Sequence, residues 1–393
     1  MTPPQANPVN HLTATTTILR DLIACPTVSS DSNLVMIADL ADRLESAGAR
    51  VEVIGDASGT KANLWATLGP DTDGGVILSG HTDVVPVTDQ DWATDPFRMT
   101  EIDGAMYGRG SCDMKGFIAA CVALAPDLAA KTRPVHFAFT YDEEVGCLGG
   151  QALVEMLRQR GLRPAIAIIG EPTGMQIIEG HKGCCEYSTH FTGREGHGSA
   201  PDLGVNAVEY AVRYVARLLS LKDQLVARAP AHGRFTPPWT TINTGALTGG
   251  VAHNVIPGRA TVDWEMRPVQ RADADFVRAD LQQFCTDTLL PLMQAVDPTA
   301  SIRTEVIGEV AGLEPADINA ARDLVAALTG NNDVGTVPFS TEAGLFQALG
   351  TDVVVCGPGS IAQAHRPDEF VSLDQLSRCI GMLERLAATT NKA

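Results

Sequence analysis

Apolar positions recur at helical spacing from about Thr15 to Ile23 and from Asn33 to Ala47, and Gly48 follows the second run as a stop signal. The period then shortens. Val51 to Ile54, Asn63 to Leu68 and Val76 to Leu78 read as strands, and a polar loop holds Asp95-Pro96-Phe97. Gly108 to Gly116 is a glycine-rich turn leading into an apolar helix from Phe117 to about Leu124. Val135 to Tyr141, Ala165 to Ile169 and Val353 to Val355 are nearly continuous apolar runs, as expected of strands buried on both faces. Helical segments such as Gln151 to Gln159 lie between them. Strands alternating with helices predict an α/β fold around one sheet.

The middle of the chain has another rhythm. Strands are expected at Cys185 to Phe191, Thr241 to Leu247, Ala260 to Met266 and Ser301 to Val306. Helices are expected at Ala207 to Leu221 and Ala272 to Thr288. The order β-α-β-β-α-β is ferredoxin-like. The organisation read from this is an α/β domain in two parts, residues 1–181 and 311–393, with an inserted α+β domain at 182–310.

Ligands in open α/β sheets gather at the carboxyl ends of strands. The strand at Val76 runs into Ser-Gly-His81-Thr-Asp83, and the Gly108–Gly116 turn carries Asp113. The strand at Val135 ends in Asp142-Glu143-Glu144, the one at Ala165 in Gly170-Glu171-Pro172, and His365 lies near the end of the chain. His81 and Asp83 share one side of an extended segment, so Asp83 can orient the imidazole while its other nitrogen faces a metal. Taken singly, a His-x-Asp after a strand is more often an ordinary loop. Two histidines with several carboxylates suit zinc or a similar divalent ion, and two metals can share a carboxylate. Of the consecutive Glu143 and Glu144, one can bind metal while the other acts as general base. The glycine-rich turn lacks the Gly-Lys-Ser/Thr ending of a phosphate-binding loop.

Composition narrows the partners. The formal charge of −18 argues against nucleic acid. No apolar run approaches the ~20 residues of a membrane helix. Met-Thr-Pro-Pro-Gln-Ala-Asn has no basic region followed by an apolar stretch, so no secretory signal is expected. Nine scattered cysteines, an odd number, fit a reducing cytoplasm better than a disulfide framework.

The motifs together resemble the M20 family of co-catalytic metallohydrolases, and within it the acetylornithine deacetylase group. The matching stretches are Ser-Gly-His81-Thr-Asp83-Val-Val-Pro, Gly-Arg-Gly-Ser-Cys-Asp113-Met-Lys-Gly, Asp142-Glu143-Glu144, Gly170-Glu171-Pro-Thr and Gly196-His197-Gly-Ser-Ala-Pro. They continue with Gly-Gly-Val-Ala-His253-Asn254-Val-Ile-Pro-Gly, Phe339-Ser-Thr341-Glu342-Ala and Gly357-Pro-Gly-Ser-Ile-Ala-Gln-Ala-His365-Arg-Pro-Asp-Glu, in the family's order. The chain departs from the group's pattern at Ser340 and at Cys147, which follows the glutamate pair.

The resemblance implies a mixed-sheet, zinc-peptidase-like catalytic domain and an inserted ferredoxin-like dimerisation or lid domain. It implies two divalent metals, zinc or alternatively cobalt, with His81 and Glu171 on one, Glu144 and His365 on the other, and Asp113 bridging. A cis peptide bond would follow Asp113. Asp83 would support His81, and Glu143 would be the base toward a metal-bridged water. His197 would donate to the oxyanion, reaching the site of the other subunit across a two-fold homodimer. Asn254 and Arg267 would contact substrate. The implied reaction removes acetyl from N2-acetyl-L-ornithine. Rivals are another N-acyl amino acid (acetylcitrulline, succinyl-diaminopimelate), a small peptide, or a non-catalytic binding or scaffold role. Arg267 has its own rival role as an ion-pair partner of Glu265 or Asp263, and Cys112 could be a ligand or a buried filler.

Overall fold

The computed structural model describes residues 10–129 and 133–389. The N-terminal stretch read for a secretory signal lies outside them. The chain divides into two compact units. One holds the chain up to Glu179, with Ala316–Gly335 and everything from Thr341 onward; the other holds Gly180–Pro315 with Thr336–Ser340. The short return at 336–340 extends the second unit beyond the 182–310 span expected from the sequence.

The first unit is built on a mixed sheet whose strands lie in the order Arg50–Gly55, Ala62–Leu68, Val135–Thr140, Val76–His81, Ile166–Pro172 and Asp352–Gly357. Two shorter strands, Ile177–His181 and Val334–Val337, complete it where the chain passes between units. The first two pairings are antiparallel, and the next three are parallel. The parallel strands are buried almost throughout, which explains their nearly continuous apolar runs. Their carboxyl ends therefore lie side by side, and His81 and Glu171 stand there within the strands themselves.

Helices His11–Ile23, Leu34–Ser46, Gly116–Leu128 and Leu373–Thr389 share one continuous apolar core with this sheet. Gly116–Leu128 is apolar nearly all round, as expected of a helix enclosed by others. A small sheet pairs Thr100–Ile102 with Ala105–Tyr107 and the latter with Phe370–Ser372. It brings the beginning of the Gly108–Gly116 turn against the segment after His365, where the Gly108 N–H donates to the Glu369 carbonyl at 2.9 Å.

The second unit has four antiparallel strands in the order Thr241–Gly249, Arg259–Arg267, Cys184–Thr192 and Ser301–Val310. Helices Ala207–Ala227 and Arg271–Phe284 share an apolar core with them. Tyr187 stacks on Trp264 in that core, which supplies large apolar surface at low rotamer cost.

Candidate metal centre

His81 closes its strand and is fully buried. Its Nδ1 lies 2.9 Å from the main-chain carbonyl of Asp83, an acceptor, so that nitrogen carries the proton and Nε2 faces inward. The sequence reading gave this orienting contact to the Asp83 carboxylate. The carboxylate is 3.6 Å away and has other partners. It accepts the Ser29 hydroxyl at 2.7 Å and the backbone N–H groups of Glu143 and Glu144 at 3.1 and 3.3 Å. Asp83 thus ties the glutamate pair to the end of the His81 strand.

Asp113 lies between the two histidines. Its Oδ1 is 3.0 Å from Nε2 of His81, and its Oδ2 is 3.4 Å from Nε2 of His365. Glu171 Oε1 is 3.7 Å from His81 Nε2, and Glu144 Oε2 is 3.0 Å from His365 Nε2. Two trios result, His81–Asp113–Glu171 and Asp113–Glu144–His365, each with its donor atoms within 4.8 Å of one another. They share Asp113, one oxygen toward each. Zinc bound at about 2 Å by nitrogen and oxygen would hold neighbouring donors about 3–3.5 Å apart.

The chemistry of the donor set fits cations. Burial pushes Glu171 well above the usual carboxylate range, and Asp113 and Glu143 add to the rise while His81 opposes it. Burial raises Glu143 and Glu144 as well, with neighbouring carboxylates contributing. Burial opposes charge on His81, but Glu171, Asp113 and Asp83 outweigh it and hold the imidazole well above its usual range. Hydrogen bonds to Asp113 and Glu144 push His365 up to about 10. Both histidines hold Asp113 below its ordinary value against the opposing effect of burial. Glu171 Oε1 is buried without a hydrogen-bond partner. Carboxyl groups buried and crowded so that their charged forms are disfavoured, one of them with an oxygen left without a hydrogen bond, make the environment that a pair of divalent cations relieves.

The Asp113 turn is held by residues to which the sequence analysis assigned no role. Glu369 is buried beneath it. Its Oε1 accepts from the backbone N–H of Cys112 and Asp113 at 2.8 and 3.0 Å, and its Oε2 from Gly110 N–H and the Arg109 guanidinium at 3.1 and 2.7 Å. Arg109 also donates to Gln90 Oε1 at 2.6 Å, and Gln90 Nε2 donates to the His365 carbonyl at 3.0 Å. Gly110 has φ +81°, and a Cβ there would press on Val84 and Lys115. The Asp113–Met114 peptide bond is cis. Lys115, fully buried, donates to the carbonyls of Leu22 and Cys25 at 3.0 and 2.8 Å, and burial pushes its amine down to about 7. Gly170 precedes Glu171 because a side chain there would overlap the Phe117 ring. Cys112 does not join the donor set: its thiol donates to the Ser360 carbonyl at 3.4 Å.

In the second unit, His197 is exposed and its Nδ1 lies 2.7 Å from the Ser199 hydroxyl. It pairs in register with Val255, so Asn254 is its neighbour, and the Gly198 N–H donates to the Asn254 carbonyl at 2.8 Å. Arg267 is at the far end of the strand that begins at Arg259, beyond the pairing of Gly193 with Gly258. It is engaged by Glu265 at 2.7 Å, the rival partner that the sequence suggests.

The family model for "Peptidase family M20/M25/M40" matches residues 77–389. The chain belongs to that family. It is 36% identical over 374 residues to an acetylornithine deacetylase of Pasteurella multocida, covering 93% of this chain and 95% of that one. It is 37% identical over 377 residues to an acetylornithine deacetylase of Myxococcus xanthus, covering 94% and 96%. Solved family structures share the fold at lower identity. A metallo-carboxypeptidase of Sulfolobus solfataricus superposes with TM-score 0.71 at 17% identity over 95% of this chain and 98% of that one. A dinuclear metal-binding peptidase of Bacillus subtilis gives 0.63 at 16% over 96% and 98%. Among the described residues no helix is long and apolar enough to cross a membrane. The chain is thus an amidohydrolase of a metal-dependent family, with a candidate metal site where its parallel strands end.

Proposed function

We propose that this chain hydrolyses N2-acetyl-L-ornithine to L-ornithine and acetate, the step that provides ornithine for arginine synthesis. The identity of more than a third to deacetylases of that substrate, over nine-tenths of both chains, carries the substrate assignment. The two donor trios sharing Asp113, with Glu143 beside them, support the mechanism. His81 and Glu171 would hold one divalent cation, Glu144 and His365 the other, and Asp113 both. Zinc is the first choice for this nitrogen and oxygen set, with cobalt as the alternative.

When bound, the cations lower the pKa of water and polarise the amide carbonyl. Glu143 takes the proton of the attacking water and delivers it to the amine nitrogen as the C–N bond breaks. Acetate keeps the water's oxygen. His197 donates to the oxyanion of the tetrahedral intermediate. Asn254 and Arg267 bind the substrate, Arg267 by exchanging Glu265 for the α-carboxylate, which its planar fork can grip at both oxygens. Arg267→Lys should then raise KM for the free acid but not for the corresponding amide; equal effects on both would remove Arg267 from this role. A homodimer and a cytoplasmic location belong to the same reading, and sedimentation velocity tests the first.

Zinc- or cobalt-loaded protein assayed against acetylornithine, acetylcitrulline, succinyl-diaminopimelate and dipeptides tests the substrate. Acetylornithine should give the highest kcat/KM. A dipeptide or acetylcitrulline in first place would overturn the substrate and leave the site chemistry standing.

A further inference from the structure

We infer that Cys147 is a positioning residue for the general base, its thiol fixing the rotamer of the Glu143 carboxylate. This rests on the reading of Glu143 as the base. The thiol lies 3.5 Å from Glu143 Oε1, within reach of an S–H···O hydrogen bond, and Cys147 is only 1% exposed. The backbone makes the contact. Glu143 carbonyl accepts from the N–H groups of Gly146 and Cys147 at 3.1 and 3.0 Å, closing a turn that folds residue 147 back over residue 143. At the same time Asp83 holds the Glu143 N–H, so the residue is fixed at both its backbone and its carboxylate.

The conformation of Cys147 is the second observation. It has φ +56° and ψ 36°, a left-handed geometry that glycine adopts freely and other residues at a cost. Glycine stands at 146, 149 and 150, yet the left-handed position itself carries a side chain. That geometry directs the thiol at the carboxylate. Burial, with Glu143 and Glu342 adding to it, pushes the thiol well above its ordinary range, so the sulfur keeps its proton and stays a donor. A thiol is a weak donor. It can select an orientation while withdrawing little of the basicity that the proton transfer needs. A structural filler would need the volume of the side chain but not its proton.

Three variants separate these roles, each assayed as the zinc-loaded full chain with N2-acetyl-L-ornithine. Cys147→Ala should lower kcat about tenfold, a fraction of the roughly 10²–10⁴-fold that the general base itself contributes, with KM within about twofold and zinc stoichiometry unchanged. Cys147→Gly, which suits the left-handed turn and keeps the fold if alanine does not, should lose kcat equally. Cys147→Ser restores a donor and should recover kcat to within about threefold of the parent. Glu143→Gln is the control for the underlying reading: if it retains turnover, the base assignment fails. If Glu143→Gln is inactive while Cys147→Ala or Cys147→Gly keeps the parent kcat, the positioning role alone is overturned. Serine falling as far as alanine, or a loss that appears in zinc content, also overturns it.

Discussion

Replacing His81 by alanine should weaken one cation, and replacing His365 should weaken the other, because each imidazole faces a different oxygen of Asp113. Metal analysis after dialysis against a limiting chelator should find about one cation retained in each variant. Loss of both from either variant would contradict separate positions. At this scale His81, Glu143, Glu144 and Glu171 are legible in the sequence because each stands at the end of an apolar run that reads as a buried strand, whereas Asp113 and His365 are legible only through their motifs. What holds them is less legible. Glu369 and Arg109 stand within the quoted motifs, but nothing in their spacing tells that they meet across 260 residues of chain. Ser29 and Gln90 give no signal at all, since a hydroxyl or amide in a polar loop is ordinary. Asp83 is legible as a support, but its carboxylate hydrogen-bonds the Ser29 hydroxyl and the backbone of Glu143 and Glu144, and it stands 3.6 Å from the His81 ring, acting on it by charge.

Among elements, the three polar loops around Arg109 set where His365 can stand. Gln90 joins the Arg109 guanidinium to the His365 carbonyl, and it is only partly buried, so its loss should leave the core intact. Gln90→Ala should weaken the cation at Glu144 and His365 by roughly ten- to a hundredfold, the usual effect of removing a group that orients a ligand. The cation at His81 and Glu171 should be unaffected. Equilibrium dialysis with zinc resolves the two; equal weakening, or none, would contradict this placement. The parallel strands are legible from their nearly continuous apolar runs. The helix Leu373–Thr389 stands outside the elements expected from the sequence, although Leu376, Cys379, Ile380, Leu383, Leu386 and Ala387 recur there at helical spacing. The sheet of Thr100–Ile102, Ala105–Tyr107 and Phe370–Ser372 is not, because strands of three residues are too short to show a period.

Across the whole molecule, buried histidines outside the centre tie stability to pH. His136 is stacked on Trp65. Burial pushes it down to about 4, with Arg50 adding to the effect and the Gly74 carbonyl opposing it. In the unfolded chain it titrates near its ordinary 6.5. Between those values the unfolded state binds the extra proton. The stabilisation is therefore complete above about pH 6.5 and lost as pH falls toward 4, by ~1.4 kcal/mol per unit and ~3 kcal/mol in all. Urea denaturation at pH 7.5 and pH 5 should show a smaller acid loss for His136→Gln than for the parent. Identical losses would refute the buried neutral imidazole. Loss of metal in acid affects both proteins and cancels in that difference. Nothing in the periodicity marks His136 as buried and neutral, since it reads as one polar position in an apolar run.

The proposed reaction turns on a division of labour between adjacent glutamates, with Glu144 assigned to the cation and Glu143 to the proton. Glu143→Gln keeps the shape of the side chain and removes its capacity to accept a proton. Metal content and turnover measured on the same preparation test this most directly. Two cations per chain with kcat reduced by about 10²–10⁴-fold is the expected result. Loss of a cation together with activity would make Glu143 a ligand, and full turnover with both cations present would remove it from the reaction.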